Sequence, residues 1–328
     1  MSESVQQAWA WQGDASPLAL RLAEMPIVRP GPGDALVRNV AVGLNPVDWK
    51  LLAHSPPDWV PGHVPGVDGA GHVVAVGAGV PSEWIGRRVA YHQDLRRAGS
   101  FAELTCVPAR ALMHLPEHVT FEVAASLPCP GLTAWQALDK LPLRPGMRLL
   151  VSGAGGAVGR FLVQLAHARG VRVTAMAHPR HTPRLMALGV EAFLPGPLPD
   201  GETFMPDDGG FDVVIDSTGG DHAARLASAL RANGHLLGIQ GRPAGWPDAP
   251  FTRAISLHEV ALGALHRFGD DEAWRGLTAA GEAMLNDLAE GKLLPEALVT
   301  HDFIELPAVL EGLRGRNFSG KALLRLPG

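Results

Sequence analysis

A chain of 328 residues is long enough for about two domains and a substantial core. Hydrophobic content of 46% with 19% charged residues is globular, and a formal net charge of −5 argues against a nucleic-acid partner, which relies on concentrated Lys and Arg. No apolar run approaches the roughly 18 residues of a membrane span, and the start MSESVQQAWAW has neither a basic region nor an apolar signal stretch, so a cytoplasmic protein without a membrane partner is expected.

Up to about residue 125 the chain alternates short strands with Gly and Pro turns: ALVRNVAVGLN, GAGHVVAVG, RRVAYH and FAELTCVP. Period-two patterning with frequent turn signals predicts a β-rich, barrel-like domain. From 131 to about 268 the rhythm becomes strand, helix, strand. RLLVSG leads to a helix over 157–169, VRVTAMA to a helix near 182–188, and FDVVIDST to a helix over 221–232 before GHLLGIQG. That alternation predicts a parallel sheet covered by helices. Residues 251–266 are expected to add strands, followed by a helix over 271–291 and the short strands VTHDFIEL and KALLRL. One nucleotide-binding domain, over 129–268, is thus expected within a β domain made of 1–128 and 269–328.

Residues 147–169, MRLLVSGAGGAVGRFLVQLAHAR, combine a buried strand, a glycine turn and a helix. Met147, Leu149, Leu150 and Val151 run into Gly153, Gly155, Gly156 and Gly159, and then Phe161, Leu162, Leu165 and Ala166 recur at helical spacing. A dinucleotide needs this order, because the turn brings backbone N–H groups to a pyrophosphate and the helix start faces negative charge. Alanine, at 154, stands where the usual fingerprint has its first glycine.

A dinucleotide fold selective for NADH carries an acid at the end of its second strand, where it receives the ribose hydroxyls. The expected position here is near Ala177, and no Asp or Glu occurs until Glu191. His178, Arg180, His181 and Arg184 occupy the segment instead. Cations without a competing carboxylate suit a 2′-phosphate, so NADPH is the expected cofactor.

Several separated stretches, taken together, resemble the medium-chain dehydrogenase/reductases, in the zinc-independent quinone oxidoreductase branch. They are GLNPVDWK (43–50), PGVDGAGHVVAVGAGV (65–80), GSFAELTCVP (99–108), CPGLTAWQAL (129–138), VSGAGGAVG (151–159), DSTGG (216–220) and NFSGKALL (317–324). The resemblance implies an α/β fold in which a Rossmann doubly wound parallel sheet is inserted into a β-rich, GroES-like catalytic domain. It also implies a homodimer, with SLHEVALGAL at 256–265 pairing across a two-fold axis, although a tetramer stays open.

Zinc-dependent relatives place a cysteine where Asn45 stands and a His-Glu pair where Val67 and Asp68 stand. A catalytic zinc needs three N, S or O donors from the protein. The two cysteines, Cys106 and Cys129, and the scattered histidines supply no such set. No metal is expected.

For the cofactor, the resemblance implies the turn from Gly153 to Gly156, with Ala157 and Val158, at the pyrophosphate. It implies Thr218 near the adenosine, Thr133 toward the nicotinamide, Gly238, Ile239 and Gln240 along the ring, and Asn317 from the C-terminal segment. Thr133 and Thr218 are alternatively helix caps, and Asn317 a turn residue. For catalysis it points to Asn45, to Lys50 near the nicotinamide ribose, and to Tyr91 and His92 on the pocket wall. There either of the last two would meet a substrate oxygen, and His92 would relay a proton. Asp48 is expected to organise its turn. Enoyl-thioester reductases of the superfamily use a tyrosine after the Asn-Pro motif, and this chain has none there. The expected reaction is hydride transfer from NADPH to a quinone or an α,β-unsaturated carbonyl. A zinc-free alcohol, aldehyde or enoyl-thioester reductase, or a non-catalytic NADPH-binding protein, are the alternatives.

Overall fold

The computed structural model describes residues 5–207, 209–316, 318 and 320–327. In chain order the first stretch gives β1 (Val5–Ala10), β2 (Arg21–Pro26), β3 (Asp34–Gly43), α1 (Pro46–Ala53), β4 (Asp68–Val76), β5 (Arg88–His92), β6 (Leu104–Pro108), β7 (Leu112–His114) and α2 (Phe121–Ala125). Next come α3 (Pro128–Asp139), β8 (Arg148–Ser152), α4 (Ala157–Ala168), β9 (Arg172–Ala177), α5 (Thr182–Met186), β10 (Ala192–Pro195), β11 (Phe211–Asp216), α6 (Asp221–Leu226), β12 (Leu230–Gly238) and β13 (Ser256–Glu259). The chain closes with α7 (Ala264–Phe268), α8 (Asp271–Ala289), β14 (Leu298–Asp302), α9 (Leu306–Arg314) and β15 (Lys321–Arg325). No described helix is long and apolar enough to cross a membrane.

Two compact units result, one from the residues up to Cys129 together with those from Gly263 onward, the other from Pro130–Leu262. The first is built on a sheet ordered β14-β15-β3-β4-β5-β7, with β6 also pairing β3, and a separate β1-β2 ribbon. Its core gathers residues distant in sequence: Trp9, Trp11, Trp59, Phe101, Phe303 and Leu310. Each indole finds a partner for its N–H, as buried tryptophans require. Trp9 donates to the Phe303 carbonyl at 3.0 Å, Trp11 to that of Asp14 at 2.8 Å and Trp59 to that of Leu95 at 2.8 Å.

The second unit is a six-stranded sheet ordered β10-β9-β8-β11-β12-β13, with every pair parallel. Its central strands are continuous apolar runs because helices cover both faces. Leu149, Leu150 and Val151 of β8 and Val213, Val214 and Ile215 of β11 are wholly buried. Strand order reverses between β8 and β11, which makes the C-terminal ends of these two strands the switch point of the sheet.

Two sequence expectations are corrected here. The helix expected over 221–232 stops at Leu226, and β12 already begins at Leu230, four residues ahead of GHLLGIQG. Pairing of Leu230 with Phe211 overrides the helical preference of the Ala-rich run. The register then shifts, and Asn233 takes a φ of 59° ahead of Gly234. In 251–266 only Ser256–Glu259 forms a strand, while Ala264–Phe268 turns helical, as Ala and Leu favour.

Candidate functional site

β8 runs straight into the glycine turn. Gly153 has a φ of 70°, a conformation that side chains disfavour. At Gly159 a Cβ would stand 2.5 Å from the Ala154 Cα, so only glycine lets α4 pack this close to the turn. Gly156 caps α4 in an extended conformation, and its N–H closes the turn onto the Gly153 carbonyl at 3.1 Å. The next N–H groups, of Ala157 and Val158, belong to the helix's first turn and have no carbonyl within it to bond. Beside Gly156 the only atom that a Cβ would meet is the Gly153 oxygen, at 3.5 Å. The open space beside Gly156, lined by backbone, fits a pyrophosphate. Ala154 is wholly buried, so its methyl faces the core rather than the cradle.

At the end of β9 the cations follow directly. His178 Nδ1 accepts from the Arg180 backbone N–H at 3.2 Å and caps the turn, while Arg180 Nε donates to His181 Nε2 at 3.2 Å. Glu191, the first acid beyond the strand in sequence, is held by Arg172 at 2.9 Å. The segment therefore offers a phosphate positive charge and offers ribose hydroxyls no carboxylate.

Asp216 ends β11 and organises the next loop. One of its carboxylate oxygens accepts from Thr218 N–H at 3.2 Å and from His222 Nδ1 at 2.8 Å, the other from Gly219 N–H at 2.8 Å. His222 Nε2 accepts from Leu198 N–H at 3.0 Å, which fixes the proton on Nδ1. Despite burial, these donors hold the Asp216 carboxyl below its usual pKa. Thr218 Oγ1 shares a 3.1 Å hydrogen bond with Ser152 Oγ, tying the ends of β8 and β11 together. Gln240 packs against Gly219, and the Ile239 N–H donates to the Asp216 carbonyl at 2.9 Å.

The first unit contains a buried polar cluster. Asn45 caps α1, and its amide is fully engaged: Nδ2 donates to Asp68 Oδ2 at 2.8 Å, and Oδ1 accepts from Lys321 Nζ at 2.6 Å. Lys321 also donates to the Leu44 carbonyl at 3.0 Å and lies 4.0 Å from Asp68. Both Asp68 oxygens accept from the Cys129 backbone N–H at 3.0 Å. Asp48 Oδ2 accepts from the Asn45 N–H at 2.7 Å, while its Oδ1 is buried without a partner. Burial, reinforced by Asp68, pushes Asp48 up to about 8. Burial pushes Asp68 to about 6 against the pull of Lys321 and Asn45. Burial also raises the Cys129 thiol well above its ordinary range, so it is no thiolate.

Register separates Tyr91 from His92. On β5, Tyr91 lies opposite Gly69 and His92 opposite Asp68, so their side chains leave opposite faces of the sheet. Tyr91 is wholly buried, its ring fills the space above Gly69, and its hydroxyl donates to Asn39 Oδ1 at 2.7 Å. His92 stacks on His266 with centroids 5.7 Å apart, and His92 Nδ1 lies 3.4 Å from His266 Nε2. Burial, then the neighbouring ring, lowers His92 to about 3, while burial lowers His266 to about 4. Both are neutral near pH 7.

Residues 31–117 match the family model described as the alcohol dehydrogenase GroES-like domain. A zinc-type alcohol dehydrogenase-like protein of Schizosaccharomyces pombe is 32% identical over 221 residues, 64% of this chain and 64% of that protein. The chain thus spans just under two thirds of that relative's length. A chloroplast envelope quinone oxidoreductase homolog of Arabidopsis thaliana is 30% identical over 249 residues, covering 72% of this chain and 74% of that protein. The chain belongs to the medium-chain dehydrogenase/reductase family, in its quinone oxidoreductase branch. A crystal structure of an alcohol dehydrogenase superfamily protein from Novosphingobium aromaticivorans superposes with a TM-score of 0.85 at 27% identity, over 99% of this chain and 100% of that one.

Within this family frame the second unit carries Gly153, Gly156, Ala157 and Val158 on one turn, His178 and Arg180 on the loop after β9 with Arg184 on α5, and Thr218, Gly238, Ile239 and Gln240 at the ends of β11 and β12. Thr133 lies inside α3 and is nearly buried, so it does not open that helix. Asn317 lies outside the described residues. In the first unit Asn45 is a structural clamp, its amide consumed by Lys321 and Asp68. Tyr91, with its hydroxyl turned into the Asn39 network, is no pocket-wall donor. Lys50 is exposed on α1, 5.6 Å from the Trp49 ring centroid, and partial burial with the nearby Arg316 lowers its pKa. Sequence reading missed Lys321 and His266. In KALLR the lysine leads directly into the apolar run Ala322–Leu324, a signal that it is buried. Among the described residues no three His, Cys, Asp or Glu are grouped to hold a metal.

Proposed function

We propose that the protein is an NADPH-dependent, metal-free oxidoreductase that reduces a quinone or an α,β-unsaturated carbonyl. The observation that carries this is the end of β9, where His181 lies against Gly155 of the glycine turn with His178, Arg180 and Arg184 around it, and where residues 178–190 hold no carboxylate. The bound nicotinamide supplies a hydride. The turn's N–H groups at Ala157 and Val158 hold the pyrophosphate, and the cations hold the 2′-phosphate. Gly238, Ile239 and Gln240 would hold the ring, and Lys50 is the candidate to orient the ribose or the substrate carbonyl.

Metal independence is supported by chemistry at Asn45 and Asp68. The ammonium of Lys321 lies against both, and a divalent cation would have to share that space with a positive charge. Without a Lewis acid, a substrate whose own conjugation spreads the developing negative charge is the fitting oxidant. Protonation comes from solvent or through neutral His92, since Tyr91 is occupied. The four-residue strand β13 leaves one edge of the parallel sheet for a second copy of the chain, which supports a homodimer.

The test is NADPH oxidation against a panel of quinones, enones, enoyl thioesters and aldehydes. Turnover of quinones or enones at rates well above the other classes is expected. Turnover confined to aldehydes or enoyl thioesters, or cofactor binding without oxidation, overturns the reading.

A further inference from the structure

The loop after β9 does not merely stand near the glycine turn; one of its side chains touches it. A Cβ built on Gly155 would run into the His181 ring, so the imidazole lies against the turn that begins α4. Its Nε2 accepts from Arg180 Nε at 3.2 Å. An imidazole accepting there carries its proton on Nδ1 and is neutral. Positive charge faces it from Arg180 and Arg184 in its own loop and helix and from Arg160 at the start of α4, with the titratable His178 beside them. Partial burial and then these charges lower the His181 pKa.

We propose that His181 is the proton-linked element of this phosphate subsite, taking up a proton from solvent when a phosphate dianion settles among these cations. The inference rests on the NADPH reading above and assigns the 2′-phosphate a ligand that changes state on binding. Protonation turns Nε2 from acceptor to donor, so His181 gives up its bond from Arg180 and both side chains are left to donate to the phosphate. No covalent bond other than the new N–H is made. The dianion offsets the positive field of the three guanidinium groups, which favours imidazolium. Affinity for a 2′-phosphate then falls as pH rises above neutrality, and discrimination against NADH is sharpest between the phosphate's own second ionisation, at about 6, and the bound-state midpoint of His181.

The test uses adenosine 2′,5′-bisphosphate and 5′-ADP as probes, by calorimetry near pH 7.5 in two buffers of different ionisation enthalpy. At about that pH the phosphomonoester's own second ionisation, near 6, is largely complete. The bisphosphate is expected to bind wild-type protein with net proton uptake and 5′-ADP without it, and His181→Gln removes the uptake. Wild-type affinity for the bisphosphate should fall by a factor approaching about tenfold per pH unit between the free-state and bound-state midpoints and level off above the latter, whereas that of the variant stays nearly flat. In the wild-type protein the NMR-detected titration midpoint of His181 should move to higher pH on saturation. Equal proton uptake by wild type and His181→Gln, or an unmoved midpoint, overturns the inference and leaves the NADPH reading standing. Bisphosphate bound no more tightly than 5′-ADP at any pH overturns both.

Discussion

Lys321 Nζ donates a 2.6 Å hydrogen bond to Asn45 Oδ1, joining residues 276 positions apart in a site where both are almost wholly buried. With Asp68 Oδ2 4.0 Å from the ammonium and 2.8 Å from Asn45 Nδ2, the three side chains bind the first residue of β15 to the cap of α1 and the start of β4. Coulomb attraction in such a site roughly balances the desolvation of both charges, so the pair adds little net stability while intact. Removing one partner leaves the other charge buried alone.

Lys321→Met is therefore expected to cost about 3–5 kcal/mol in urea unfolding. Adding Asp68→Asn to it should recover a substantial part, because the amide restores a neutral acceptor. A double variant as unstable as the sum of the two single ones would contradict an ion pair here.

The two raised carboxyls set a pH dependence. Asp48 moves from 3.8 to about 8 and Asp68 from 3.8 to about 6, so between these limits the folded state binds more protons than the unfolded one. Stability from both groups is full below about 4 and declines as pH rises toward 8. Asp48→Asn should flatten the decline between about pH 6 and 8 by up to roughly 1.4 kcal/mol per pH unit. An unchanged slope in urea titrations across that range would show Asp48 ionised in the fold.

Tyr91→Phe tests the assignment of the tyrosine to structure. Losing the hydroxyl leaves Asn39 Oδ1 with one buried acceptor site unfilled, at a cost of about 1–3 kcal/mol. Turnover should stay within about twofold, since general acid–base catalysis would be worth about a hundredfold or more. A hundredfold fall in kcat would return Tyr91 to the chemistry.

His92 and His266 are neutral across the neutral range, so neither should give an inflection near pH 6.5 in the rate profile. If protonation passes through His92, His92→Phe lowers kcat by about a hundredfold, with KM for the cofactor unchanged. Full turnover in that variant assigns protonation to solvent.

The parallel sheet was legible because its signals are local: apolar runs at 149–151 and 213–215, and a glycine turn at the strand-helix junction. The end of the helix near 226 was not, because Leu230 is drawn into β12 by Phe211, a neighbour that the local pattern does not show. The same distinction holds at the site. Gly159 and the cations after β9 are written within one motif each. The clamp on Asn45 depends on Lys321, and the burial of Tyr91 depends on Asn39 and Gly69, partners supplied by strand register. Asn45 and Tyr91 thus looked available for catalysis only while their partners were out of view.

Cofactor selectivity is the most direct measurement of all. Fluorescence titration of the wild-type protein with NADPH and NADH, repeated with Arg180→Ala, reads the loop after β9 without requiring a substrate. NADPH should bind at least about tenfold more tightly than NADH, and Arg180→Ala should remove most of that advantage while leaving NADH affinity nearly unchanged. Equal affinities in the wild-type protein, or tighter binding of NADH, would contradict a 2′-phosphate site at the end of β9.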